Sequence, residues 1–92
     1  MPNFNQSFRV GGELLNFRFS LIHRPGGARY SVVVNREAQY MASFYLQQSE
    51  WGFWKIADPY QIVPGWIHAL EPLLVDAIAS HGDAKHTPGA ID

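Results

Sequence analysis

Between Glu13 and Arg24 the chain reads ELLNFRFSLIHR, and Leu15, Phe17, Phe19 and Leu21 recur at every second position with Asn16, Arg18 and Ser20 between them. A helix gathers apolar side chains at spacings of three and four, whereas a strand sends successive side chains to opposite faces. The segment therefore predicts a strand with one oily and one polar face. Such a strand is stable only in a sheet whose oily face is covered, so the remaining chain must supply both neighbours and a lid.

The neighbours are legible on both sides. Phe4, Phe8 and Val10 alternate with Asn5, Ser7 and Arg9, and Gly11-Gly12 then offers two residues with free access to positive φ, a hairpin signal. Pro25-Gly26-Gly27 ends the second strand. A short β-branched strand follows over 30–34, with a turn at Asn35-Arg36-Glu37. A fourth strand runs over about 38–48, placing Tyr40, Ala42, Phe44 and Leu46 on the apolar side and Met41, Ser43, Tyr45 and Gln47 on the other. After SEWG, residues 53–56 can add a short fifth strand. Connections this short favour an antiparallel meander, because parallel pairs need long crossovers.

The lid comes from WIHALEPLLVDAIASH, in which Ile67, Leu70, Leu74, Ala77 and Ile78 form a helical stripe. Pro64 has the look of a first-turn proline. Pro72 would cost about 3 kcal/mol inside a helix, which predicts a kink or two pieces with the main one starting at Pro72. His81-Gly82 is the expected stop, and residues 82–92 are expected to form a flexible tail after a single domain spanning 1–81. The fold class expected is α+β: an antiparallel β-meander of four or five strands with one C-terminal α-helix packed on its apolar face. One helix, about 10 Å wide, is narrow for strands roughly 4.8 Å apart, so the sheet must curl or a second protomer must complete the cover.

Composition narrows the function classes. With 92 residues, 47% apolar and 16% charged, the chain has a core to build and room for one domain. The absence of cysteine removes disulfides, thiolate metal sites and a cysteine nucleophile. Seven Lys+Arg against eight Asp+Glu give no electrostatic case for nucleic acid or a membrane surface, although all five arginines lie in the first 36 residues. Nothing at the N-terminus resembles a signal peptide and no apolar run reaches membrane-spanning length, so a soluble, cytoplasmic protein without membrane contact is expected. His68 and Glu71 share a helical spacing that metals use, but no third ligand is placed beside them. Serine-hydrolase, Walker A and dinucleotide signatures are absent, and Asp58 before Pro59 suits an Asx-type turn. No catalytic, metal or cofactor residue is therefore assigned.

What remains is the polar sheet face, which carries neutral groups, arginine, tyrosine and methionine where solvated faces usually carry lysine and glutamate. That pattern suits an interface. Arg9, Arg18, Met41 and Tyr45 are the candidate contact residues, joined by Trp51, which stands beside Glu50 and Gly52 in a turn. Trp54 and Trp66 are assigned instead to a packing seam between sheet and helix. The function expected is a small non-catalytic interaction or assembly module, a homodimer with room for a further protein partner. Two alternatives are a single-stranded nucleic-acid binder using the polar face, and a small-molecule carrier with a pocket between sheet and helix lined by Trp54, Trp66 and Phe44. Replacing the turn tryptophan, Trp51→Ala, is expected to leave the melting temperature nearly unchanged while weakening self-association or ligand contact. A large loss of melting temperature would place Trp51 in the core.

Overall fold

A computed structural model describes residues 3–25 and 27–83. Five strands occur in the order β1 (Phe4–Val10), β2 (Glu13–Arg24), β3 (Gly27–Arg36), β4 (Gln39–Gln48) and β5 (Trp54–Ala57), followed by α1 (Gly65–His68) and α2 (Glu71–Ile78). The strands make one antiparallel sheet in sequence order, the meander that the short connections predict. The chain is mainly β with a small helical segment, so the helical share is less than an α+β reading implies. Pro72 is the reason. It falls at the start of α2, where its missing amide costs nothing, and it separates α2 from the four residues of α1. Pro64 stands one place earlier than predicted, at the N-cap of α1 in an extended conformation. The helical backbone does not stop at His81-Gly82 but continues through Ala79–Asp83 as a π turn. Of the segment expected to be a tail, residues 84–92 lie outside those described, and His86 with them.

Hairpin chemistry accounts for the register. Val10 pairs with Glu13, and Gly11 and Gly12 between them take φ of 57° and 84°, the paired positive values that a two-residue turn needs. The β3–β4 turn has the same form without glycine. Strand β3 runs into the predicted turn as far as Arg36, and Glu37 and Ala38 carry the reversal at φ of 51° and 68°. Just beyond it, Val34 faces Ala42 while Asn35 faces Tyr40, so Met41 is an extra residue, a β-bulge. The bulge corrects the predicted parity: Tyr40 leaves the side of Ala42, Phe44 and Leu46 and joins the opposite face.

Most apolar residues of the inner face are buried within the single chain. Leu15, Phe17, Phe19, Tyr30, Val32, Val34, Phe44, Leu46 and Trp54 are buried, in one cluster with Ile67, Leu74, Ala77 and Ile78. Phe8, Val10, Leu21 and Leu70, expected in the core, are half-buried against it. Rings tie the strands together. His81 stacks on Phe4 at 4.8 Å, Phe4 on Phe19 at 4.4 Å, Phe19 meets Tyr30 edge-on at 6.1 Å, and Tyr30 tilts against Trp54 at 5.1 Å. Trp54 and Ile56 do share a parity, and Trp66 is half-buried against the cluster, so both tryptophans sit where a packing role puts them.

Two outcomes test this account. Phe19→Ala should lower the urea-unfolding free energy by about 3–5 kcal/mol, the usual loss for a buried ring. Replacing Glu37-Ala38 by Asn-Gly should raise it by about 1 kcal/mol, because the left-handed conformation is strained for residues with a Cβ.

Candidate recognition surface on the outer sheet face

Cross-strand partners point to the same side of a sheet, so the registers fix what shares the outer face. One row runs Ser7, Asn16, Asn35, Tyr40; the next Asn5, Arg18, Val33, Ser43. Then come Ser20, Ser31, Tyr45, Ala57, and finally Ile22, Arg29, Gln47, Lys55. Arg9 lies at the far end opposite Leu14. Four cations, Arg9, Arg18, Arg29 and Lys55, thus stand on a strand surface on which no described carboxylate sits. The carboxylates are elsewhere. Glu13 bonds Arg36 at 3.2 Å at the far end of the β2–β3 pair, Glu37 and Glu50 lie in turns, and Glu71 and Asp76 lie in α2.

At the β4 end this face opens into a cleft of about 980 Å³, between β4 and the segment 57–64. Tyr40, Met41, Ser43, Tyr45, Arg29 and Gln47 form one wall, and Tyr60 and Ile62 belong to the other. Arg29 is fixed there by two contacts. Its guanidinium lies 5.0 Å from the centre of the Tyr45 ring, and Nη2 donates to Gln47 Oε1 at 3.0 Å. The Tyr40 hydroxyl pairs with Ser43 Oγ at 3.1 Å, made possible by the bulge. The rings remain open to solvent: Tyr40 is 62% exposed, Tyr45 44% and Tyr60 81%.

Asp58 shapes the other wall. Its Oδ1 accepts from the amides of Ile62 at 2.8 Å and Val63 at 3.2 Å, the Asx-type role the sequence suggests, and Oδ2 accepts from His68 Nε2 at 2.8 Å. His68 is thereby spoken for, and Glu71, which shares its helical spacing, accepts from the Ile56 amide at 2.8 Å. The described residues contain no group of three or more His, Asp or Glu placed to hold a metal. Enclosure of the Asp58 carboxyl opposes ionisation. The hydrogen bond from His68 and those from Val63 and Ile62, with the His68 charge, outweigh it and hold the group below the ordinary aspartate value.

The candidate contact residues therefore separate. Met41 and Tyr45 meet in the cleft, Arg18 lies on the same face two strands away, and Arg9 is at its far corner, donating to the Gly12 carbonyl at 3.3 Å. Trp51 is apart from all of them, 78% exposed at the tip of a turn that Ser49 organises by accepting from the amides of Trp51 and Phe53. Arg29 was not found from the sequence because β3 is expected to begin only at residue 30, and Lys55, although inside the expected fifth strand, because no register placed that strand beside β4. Tyr40 was missed because a bulge has no periodic signature, and Tyr60 and Ile62 because a loop has none. The cleft is also not the pocket expected of a carrier: Phe44 lines it, but Trp54 and Trp66 do not. Compared with family models, curated proteins and solved structures, the chain has no significant match.

The Asp58 network makes a pH prediction. A carboxyl held low in the folded chain stabilises it fully above its unfolded value near 3.8, and that contribution is lost as pH falls through the lower folded value. Asp58→Asn should therefore lose less stability than the wild type across this acid window. Urea melts at neutral pH and below pH 3.8 would show it; parallel losses would mean that the carboxyl is not held low.

Proposed function

We propose that the chain is a non-catalytic recognition module that engages its partner through the outer sheet face and the adjoining cleft. The observation that carries this reading is the grouping of Tyr40, Met41, Tyr45, Tyr60 and Ile62, all open to solvent, around one cleft beside Arg29. Tyrosine, methionine and arginine are the side chains that interfaces favour, and pockets with a few placed polar groups are where ligands bind. On this reading α1 and α2 close the opposite, apolar face. Support comes from the cluster shared by Ile67, Leu74, Ala77 and Ile78 with the strands, and from the bond between Glu71 and the Ile56 amide.

Self-association as a homodimer belongs to the same proposal, on a changed basis. Leu15, Phe17, Phe19, Tyr30, Val32, Val34, Phe44 and Leu46 on the inner face of β2, β3 and β4 are already buried in one chain, so covering that face is no longer the reason for a second copy. The surface offered for it is the β4–β5 turn, where Trp51 and Phe53 are 78% and 69% exposed. A cytoplasmic setting fits a chain that has no disulfide to form, and no helix among the described residues is long and apolar enough to cross a membrane.

Two measurements test the proposal. Light scattering should give twice the chain mass of 10.4 kDa, and Trp51→Ala should return it to the single-chain value; a concentration-independent monomer ends the dimer reading. An NMR screen of small aromatic fragments should move the signals of Met41, Tyr45 and Tyr60 together. Perturbations scattered over the surface would remove the cleft as a recognition site.

A further inference from the structure

The charge pattern of the outer face narrows the class of partner. Along the strands, Arg9, Arg18 and Arg29 each lie one strand over and four residues further on than the last, which puts successive cations roughly 14 Å apart on a diagonal track. Lys55 continues the track at the level of Arg29, two strands beyond it. Between and beside these cations stand neutral donors and acceptors, Asn16, Ser20, Ser31 and Ser43, and the exposed rings of Tyr40 and Tyr45. Asp58, the carboxylate of the cleft, is turned inward, its side chain 10% exposed and held by His68.

We propose that the ligand of this face is a single-stranded nucleic acid. Its phosphates would follow the diagonal of cations, and its unstacked bases would meet Tyr45, Tyr40 and the Tyr60 side of the cleft. A cationic track with interleaved rings is the combination that single strands use, because every base has a face to stack and every linkage a charge. A duplex keeps its bases stacked inside and gives the rings no role. An acidic protein would engage the cations and leave the rings without partners. The formal charge of −1 is no obstacle, since a local field depends on where charges sit and not on their sum. The inference rests on the outer face being the recognition surface.

The test is fluorescence anisotropy with a labelled oligothymidine of about 16 nucleotides, near the upper site size of single-strand-binding folds. Four phosphate contacts predict a slope of log affinity against log salt of about −3, hence a roughly fifty-fold loss between about 50 and about 200 mM salt. Arg18→Ala should weaken binding and make that slope shallower by about 0.7. Tyr45→Ala should weaken binding roughly five- to hundred-fold with the slope unchanged, and Tyr45→Phe should retain it. Circular dichroism melts of each variant separate these effects from loss of fold. Absence of binding at about 50 mM salt overturns the proposal, as does equal affinity for the duplex. Equal affinity for polyaspartate, indifferent to Tyr45→Ala, also overturns it and makes an acidic protein the partner. Aromatic fragments that bind the cleft of a protein that ignores the oligonucleotide would leave the recognition surface standing and the nucleic acid excluded.

Discussion

The rest of the structure depends on a line of rings that crosses the inner face from edge to edge. His81 stacks on Phe4 of β1, Phe4 on Phe19 of β2, and Phe19 meets Tyr30 of β3, which reaches Trp54 of β5. Each ring buries a large apolar area, and offset or edge-on pairs add about 0.5–1.5 kcal/mol beyond burial. A chain of this length with no disulfide has few other ways to join five strands and the C-terminal turn into one unit. Because these rings are spent inward, the opposite face is released from packing duty. Its residues can then be chosen for what they bind.

Two local irregularities shape the candidate site on that face. The bulge at Met41 moves Tyr40 across the sheet, and it does so next to a turn strained by positive φ at Glu37 and Ala38. Asp58 then folds the segment after β5 into a wall by holding the amides of Ile62 and Val63. The cleft lies between these two features, and neither is part of the regular sheet. Irregular backbone that persists beside a rigid scaffold is where binding residues often lie.

Much of the fold was readable because one period dominates it. Strict alternation in β2 and β4, paired glycines after β1 and a proline at Pro72 each constrain the backbone, and an antiparallel meander with its hairpins and a helix kinked or divided at Pro72 followed from them. The site was readable only in part. Met41 and Tyr45 were found by parity, but Tyr40 was assigned to the wrong face because a one-residue bulge reverses parity without changing composition. The placement of charge was not legible for a related reason. A total of seven cations and eight acids is silent about faces, whereas the register sorts Arg9, Arg18, Arg29 and Lys55 to one side, with the described carboxylates on the inner parity of β2, in turns and in the C-terminal helical segment.

By itself the sequence determined the run of elements and the oily face: a β-meander with one oily side, a C-terminal helix that Pro72 must kink or divide, no disulfide, and Asp58 as a turn-forming acid. These follow from nearest-neighbour chemistry along the chain, namely side-chain alternation, glycine and proline geometry, and the short reach of an Asx carboxylate. Tertiary structure alone decided which rings meet, where parity is reversed, and that cations of four strands share one face of the sheet. Those outcomes depend on registers between residues far apart in the chain, and a register is set by the packing of the whole inner face at once.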